Sequence, residues 1–310
     1  MSGYISEFFG YSSSDVSDIA LSAAQCKKCP ILGTRCTKIL SRDSIPSGAC
    51  AIQQSGPNAP RVICCPVRLY ANDYELLRII VSKAFGADCN LKLYAGRAAV
   101  RKARQEHGAI AVFGHGWGGE LHLPQRFGSG SYFVDWILAK LDSNGQLEEF
   151  TAMEVQTIDT TGNYRESRKA LLKNRQVVKS TVGLNWENVS KRIIPQLIFK
   201  GQVLQREQLC KTGLFFVSPK AVYDRILNRL GGIARMPVFP SQPASIHFIA
   251  YDYETGIQPV PGELIPLTIQ AEHNTTVYKV QEAFSAVNLP EENVYRRAIE
   301  ESLYGNRETL

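Results

Sequence analysis

Residues 131–159 read SYFVDWILAKLDSNGQLEEFTAMEVQTID, and the reading of this stretch decides the rest. A lone acid, Asp135, interrupts a first apolar and aromatic run. Eighteen residues separate it from Glu154 in a second run, and Gln156 follows two positions later. Both runs read as β-strands. Side chains at i and i+2 of a strand share a face, so Glu154 and Gln156 are expected to point the same way. Two acids and an amide on adjacent strands make a small oxygen-lined site, of the kind a hard cation such as Mg2+ favours. The plain alternative is that Asp135 and Glu154 are surface or paired acids, but their apolar neighbours argue against simple exposure.

Outward from that stretch the order is mixed α and β. DYELLRIIVSKAFG reads as an amphipathic helix that Gly86 can end. LKLYAG is a short strand, AAVRKARQEH a helix, and IAVFGHGWGGELHL two strand-like runs around a glycine-rich bend. NVSKRIIPQLIFKGQVLQRE reads as a helix with Pro195 near its first turns or at a kink. LFFVSP, SIHFIAYDY and LIPLTIQAEH look like strands, and PEENVYRRAIEESLYG like a closing helix. The fold class is α/β in the α+β sense: a central mixed sheet flanked by helices. Residues 1–70 differ. They are rich in Ser, Gly, Pro and Cys and show little periodicity beyond a possible helix near residues 14–25, which Ser14 or Asp15 could cap. We divide the chain into a module at 1–70, which needs a staple, and a core at 71–310.

The 310 residues are 44% apolar and 21% charged, enough to bury a core and too apolar for disorder. No apolar run has the length of a membrane span, about 18 residues. The N-terminus lacks the basic and apolar regions of a signal peptide, so a cytoplasmic protein is expected. A net charge of +6 is compatible with nucleic acid and with many other partners.

Six of the eight cysteines fall between residues 26 and 65: Cys26, Cys29, Cys36, Cys50, Cys64 and Cys65. Disulfides are not expected in the cytoplasm, so the cluster reads as a metal site, the alternative being buried free thiols. Four thiolates would close a tetrahedral site for zinc or iron, and donor type does not choose between them. Cys26 and Cys29 form the CxxC of a generic zinc finger, so the ligand set stays open on residues alone. Cys89 and Cys210 read as small buried hydrophobes. His107, His115, His122, His247 and His273 show no paired ligand spacing and read as structural or as contacts to a partner.

Several motifs taken together resemble the NotI type of type II restriction endonuclease. They are YISEFFGY, the series CPIL, RCTK, GAC and CCPVR, then GGELHL, FVDWILA and MEVQTIDTTGNY, and finally NVSKRIIPQLIFK and TGLFFVSPKAVY. The resemblance implies a PD-(D/E)xK nuclease core preceded by a four-cysteine metal module. Its ligands would be Cys29, Cys36, Cys50 and Cys65, holding iron, with Cys26 and Cys64 outside the set. It implies Asp135 and Glu154 as ligands of a catalytic Mg2+, Glu120 near them, and Gln156 in the place where a lysine is usual. It also implies a homodimer on a GC-rich palindromic duplex, and no membrane. Gln156 brings no charge and can act only through hydrogen bonds, so the metal is expected to supply more of the electrostatic stabilisation. The basic run after the acids, with Arg165, Arg168, Lys169, Lys173 and Arg175, is by default a solvated helix face. In a nuclease it becomes a candidate for phosphate contact. Two rivals remain. One is a metal-containing DNA-binding protein without catalysis, and the other a nuclease that reads DNA structure.

Overall fold

The computed structural model describes residues 3–40, 44–56, 59–121, 133–286 and 291–305. His122, the end of GGELHL and the first residues of SYFVDW fall outside them. The centre is a seven-stranded mixed sheet in the order β13-β12-β11-β8-β7-β6-β5. Four short strands precede it in the chain: β1 (Gly3–Phe8), β2 (Tyr11–Ser12), β3 (Ala49–Gln54) and β4 (Arg61–Ile63), with helix α1 (Asp18–Gln25) between β2 and β3. They form a sheet of their own, β2-β1-β3-β4. After α2 (Ala71–Phe85) come β5 (Leu93–Ala95), α3 (Ala98–Glu106), β6 (Ala109–Gly114), β7 (Trp136–Leu141) and β8 (Leu147–Val155). A small excursion holds β9 (Thr160–Thr161), α4 (Arg165–Asn174) and β10 (Gly183–Leu184). The chain returns through α5 (Ile194–Leu204), β11 (Leu214–Pro219), α6 (Lys220–Arg229), β12 (Ser245–Tyr253), β13 (Leu267–Thr276), α7 (Val277–Ser285) and α8 (Val294–Tyr304).

Strands β8, β11 and β12 are parallel neighbours, while β7 runs antiparallel to both β6 and β8. Such strands are covered on both faces, and the side chains sort accordingly. Met153, Val155, Phe215 and Val217 pack under α2 with Leu76, Leu77 and Ile80. Ala152, Leu214 and Phe216 pack on the other face with Ile194 and Leu197 of α5 and Val222 and Ile226 of α6. Each such fully buried aliphatic or aromatic side chain contributes about 1.5–3 kcal/mol. The alternation decides where Glu154 goes: lying between Met153 and Val155, it faces α5.

The N-terminal region corrects the expectation of little strand structure. Ile5, Phe8, Ala49 and Ile52 are buried, and they belong to the same apolar cluster as Tyr164, Leu171 and the α5 face. The cap of α1 is also revised. Ser17, rather than Ser14 or Asp15, accepts from the Ala20 N–H. Asp15 instead takes the Ser17 and Gly262 N–H groups, each at 2.8 Å. The helix around Pro195 opens with a wide π-type turn at Val189–Ile193 before α5. Proline has no N–H to return to the carbonyl four residues back, which favours such a widened entry. Among the described residues no helix is long and apolar enough to cross a membrane.

Candidate active site

The two acids meet because of hairpin register. Trp136 pairs with Met153 and Ile137 with Ala152, so one further step along the antiparallel pair sets Asp135 opposite Glu154. The hairpin closes on Asp142, whose Oδ1 accepts from the Asn144 and Gln146 N–H groups at 2.9 and 2.8 Å, and on Gly145 with φ +76°. Trp136 fixes the start of β7. It is 2% exposed, its indole N–H donates to the Tyr70 hydroxyl at 3.0 Å, and it packs edge-on against Tyr70 and Tyr74. Gly114 makes room for it, since a Cβ there would meet the Trp136 ring at 2.3 Å.

Asp135 Oδ2 accepts the Val155 N–H at 2.8 Å, which ties the acid to the end of β8. Its pKa is pushed up to about 7. Burial is the main cause, followed by the charge of Glu154. The Val155 N–H and Lys200 oppose the shift, and Glu120 adds to it. Glu154 Oε1 meets Lys200 Nζ at 2.5 Å, and the two side chains are only 11% and 14% exposed. Among the described residues, Glu154 Oε2 is buried and has no hydrogen-bond partner. Tyr70 borders the same group. Its hydroxyl is held far above its ordinary pKa by burial, then by the charges of Asp135 and Glu154.

The other expected members are placed differently. Glu120 is exposed on the loop after β6, within electrostatic reach of Asp135. Gln156 lies one residue beyond β8. Its backbone N–H bonds to the Val217 carbonyl at 2.9 Å, and its side-chain amide donates to the Thr157 carbonyl at 2.7 Å. Among the described residues it makes no hydrogen bond to either acid. Lys200, by contrast, was not singled out from sequence. It reaches the site from α5, 46 positions beyond Glu154. The only hint was the amphipathic pattern of NVSKRIIPQLIFK, which puts Lys200 beside the buried positions Leu197, Gly201 and Leu204.

Four of the clustered cysteines gather in the N-terminal region. Cys29, Cys50 and Cys65 are buried and Cys36 is half-buried. Burial raises the thiols of Cys29 and Cys36, and the charge of Cys65 raises both further. The Cys50 and Cys65 side chains interact directly. This interaction pushes Cys50 up and brings Cys65 down to about 6, with Lys38 and the Val67 and Arg68 N–H groups also lowering Cys65 against burial. Cys64 points elsewhere and receives Lys38 Nζ at 3.2 Å. Cys26 is exposed. Among the described residues no three His, Cys, Asp or Glu side chains converge closely enough to grip a metal ion as they stand.

The basic run divides into buried and outward-facing side chains. Arg168 is 5% exposed, and its guanidinium donates to the carbonyls of Pro46, at 2.7 and 3.1 Å, and Ser47, at 3.1 Å. Arg175 is buried likewise and donates to the carbonyls of Asp15 and Ser12 at 2.8 and 2.5 Å. Both pin α4 to the N-terminal region. Lys169 and Lys173 do point outward, Lys169 beside Glu166 at 2.9 Å. Among the histidines, His247 stacks on Phe215, meets the Thr212 carbonyl at 2.8 Å and is brought down to about 4, mainly by burial. His107 ends α3 in a left-handed conformation. Cys210 is buried as expected, and its thiol is pushed up to about 12 by burial, while Cys89 is half-buried.

A hairpin that brings two acids together on a mixed sheet, in a chain whose N-terminal region gathers four thiols, is the setting in which the sequence match falls. The match places the chain among the restriction endonucleases, a class of nucleases. Residues 19–258 fit the family described as restriction endonuclease NotI, well over half of the chain, and the chain belongs to that family. The matched span takes in the four thiols, both acids and Lys200. No curated protein matches the chain.

Proposed function

We propose that this chain is a type II restriction endonuclease with a PD-(D/E)xK core. It hydrolyses both strands of a GC-rich palindromic site in the cytoplasm, depends on Mg2+ and works as a homodimer. One observation carries the catalytic part. Two carboxylates, the half-buried Asp135 and the buried Glu154, lie side by side with one ammonium on Glu154, and one Glu154 oxygen has no hydrogen-bond partner among the described residues. Hard oxygen donors of this kind suit Mg2+. A surplus of negative charge in a buried place is relieved by a dication, so the donor set fits. Mg2+ held there supplies charge stabilisation to a phosphate under attack and makes water a better nucleophile. Asp135 and Glu154 would hold the ion, with Glu120 at the rim. The Val155 N–H keeps Asp135 oriented, and the aromatic wall of Tyr70, Tyr74 and Trp136 keeps that side dry.

We also read Cys29, Cys36, Cys50 and Cys65 as ligands of one iron or zinc per chain. The four thiols are near neighbours, whereas Cys64 is engaged by Lys38 and Cys26 is exposed. Deprotonation on binding would turn mutual repulsion into attraction to the metal. Elemental analysis tests this reading: Cys65→Ser should lose the metal and Cys26→Ser should keep it. Arg165, Lys169 and Lys173 of α4 are the candidates for phosphate contact. One centre cuts one strand, so a cut through both strands of a palindrome calls for two centres about a two-fold axis. Sedimentation should therefore give twice the 34.4 kDa chain. The deciding experiment is a digest of plasmid DNA with Mg2+ and with EDTA. The expected result is discrete fragments that need Mg2+. A smear would indicate a nuclease without sequence preference, and intact plasmid a DNA-binding protein.

A further inference from the structure

We propose that Lys200 provides the positive charge of the catalytic centre, delivered to the scissile phosphate from helix α5 because the strand position carries Gln156. This rests on the nuclease reading above. Lys200 Nζ is 2.5 Å from Glu154 Oε1, and its charge also reaches Asp135. Gln156 is neutral, lies past the end of β8 and spends its amide on the Thr157 carbonyl. No other cation contacts either acid among the described residues.

A purely structural ion pair does not explain this lysine. A buried ion pair is on balance worth no more than a well-packed apolar residue. An apolar residue would be easy to accommodate here. Lys200 lines a largely apolar cavity of about 460 Å³ together with Phe133, Ile137, Phe150, Phe199 and Val203. Its ammonium passes 5.8 Å from the Phe133 ring and emerges at the acids. The backbone supports that aim. The π-type turn at Val189–Ile193 and Pro195 set the rotation of α5, and Leu197, Gly201 and Leu204 lock one face into the core. Gly201 seats that face closely, since a Cβ there would meet Val277 at 3.0 Å. Lys200 is held at the border between that face and the site.

In the reaction the water oxygen joins phosphorus, the bond to the leaving ester oxygen breaks, and one proton passes from the water through solvent to the leaving oxygen. Lys200 stays protonated throughout. Its charge offsets the negative charge that grows on a non-bridging phosphate oxygen, a role that Gln156 cannot fill.

The test is a swap. Single-turnover cleavage with Mg2+ is compared among the wild type, Lys200→Met, Gln156→Lys and Gln156→Lys/Lys200→Met, alongside thermal melting. The salt dependence of DNA binding is measured in EDTA. Lys200→Met keeps the apolar stem, and it is expected to lose cleavage by about 100-fold or more. Its salt slope for metal-free binding should shrink by about one. Gln156→Lys should lower activity in the wild-type background and raise it at least tenfold, roughly one oxyanion contact in part, in the Lys200→Met background. That reversal of sign is something a structural lysine would not produce. Lys200→Arg, which keeps the charge, serves if Lys200→Met does not fold, and is expected to keep more activity than Lys200→Gln. Cleavage by Lys200→Met within about threefold of wild type, an unchanged salt slope, or no rescue by Gln156→Lys would each overturn the proposal. Failure of the wild type itself to cut would instead remove the nuclease reading.

Discussion

Two buried ion pairs in this molecule are built from the same kinds of group and end in opposite electrostatic states. Glu7 and Arg68 are 0% and 1% exposed and meet at 2.6 Å. The second oxygen of Glu7 takes the Tyr253 hydroxyl, and Arg68 also donates to the Ile265 carbonyl. Arg61 lies over the Tyr253 ring at 3.9 Å. That pair is complete, and it ties the N-terminal sheet to β12. Glu154 and Lys200 are 11% and 14% exposed, but they share their space with Asp135, and one Glu154 oxygen has no partner among the described residues. A completed pair holds parts together. A pair left one positive charge short has room for a further cation, as the proposed site requires.

If that contrast is right, the largest effect lies in catalysis. Asp135→Ala and Glu154→Ala should each lower cleavage by about 10³-fold or more, with DNA binding kept. Single-turnover kinetics beside gel-shift titration checks this, and near-normal cleavage by either variant would break the contrast at its functional end. The structural end comes next. Glu7→Gln strands a buried guanidinium and should cost about 3–5 kcal/mol in urea unfolding; a cost below about 1 kcal/mol would show the pair to be ornamental. Arg168→Ala extends the comparison to a third buried cation, one that donates to the carbonyls of Pro46 and Ser47. It should lose about 2–3 kcal/mol of stability and leave the salt dependence of DNA binding unchanged. A smaller salt slope with unaltered melting would return Arg168 to the DNA surface.

The smallest effect carries the opposite sign. The folded pKa of Asp135, about 7, stands above its ordinary value of 3.8. A carboxyl raised in this way contributes its stability below the ordinary value and loses it as the pH rises through the folded one, here between about 4 and 7. Asp135→Asn removes that loss. Up to about 4 kcal/mol separates the protonation states, and lost attraction to Lys200 takes part of it back. Metal-free protein should therefore gain on the order of 1–2 kcal/mol at pH 8 and nothing near pH 4. Melting curves at the two pH values decide the point, and a destabilised variant at pH 8 would mean that Asp135 is an ordinary paired acid.

Much of this was legible in the sequence, and the gaps have physical causes. The fold class follows from long, strongly patterned runs. Asp135 and Glu154 could be paired because their strands are adjacent in sequence, and DSNG between them is a turn whose geometry fixes the register. Lys200 could not be found that way, because α5 folds over the sheet through contacts distant in sequence, and nothing local marks one lysine among many. The strands at the N-terminus escaped notice for a related reason. They are short, from two to six residues, and β1 pairs with β3 across some forty to fifty residues. Arg168 misled because a run of charges looks alike whether it faces water or a buried row of carbonyls. Cys29, Cys36, Cys50 and Cys65 lie near one another, but the residues alone could not tell Cys64 from Cys65. Lys38 separates them, by taking Cys64.

The central claim is that Asp135, Glu154 and Lys200 form one catalytic centre. Its most direct test is a crystal structure of the protein with a duplex carrying its mapped cleavage site and Ca2+, which holds the complex uncut. The expected result is an ion bound by the carboxylates of Asp135 and Glu154 at about 2.3–2.6 Å, with Lys200 Nζ on a non-bridging oxygen of the scissile phosphate. An ion and scissile phosphate seated elsewhere, with Glu154 and Lys200 still paired to each other, would contradict it.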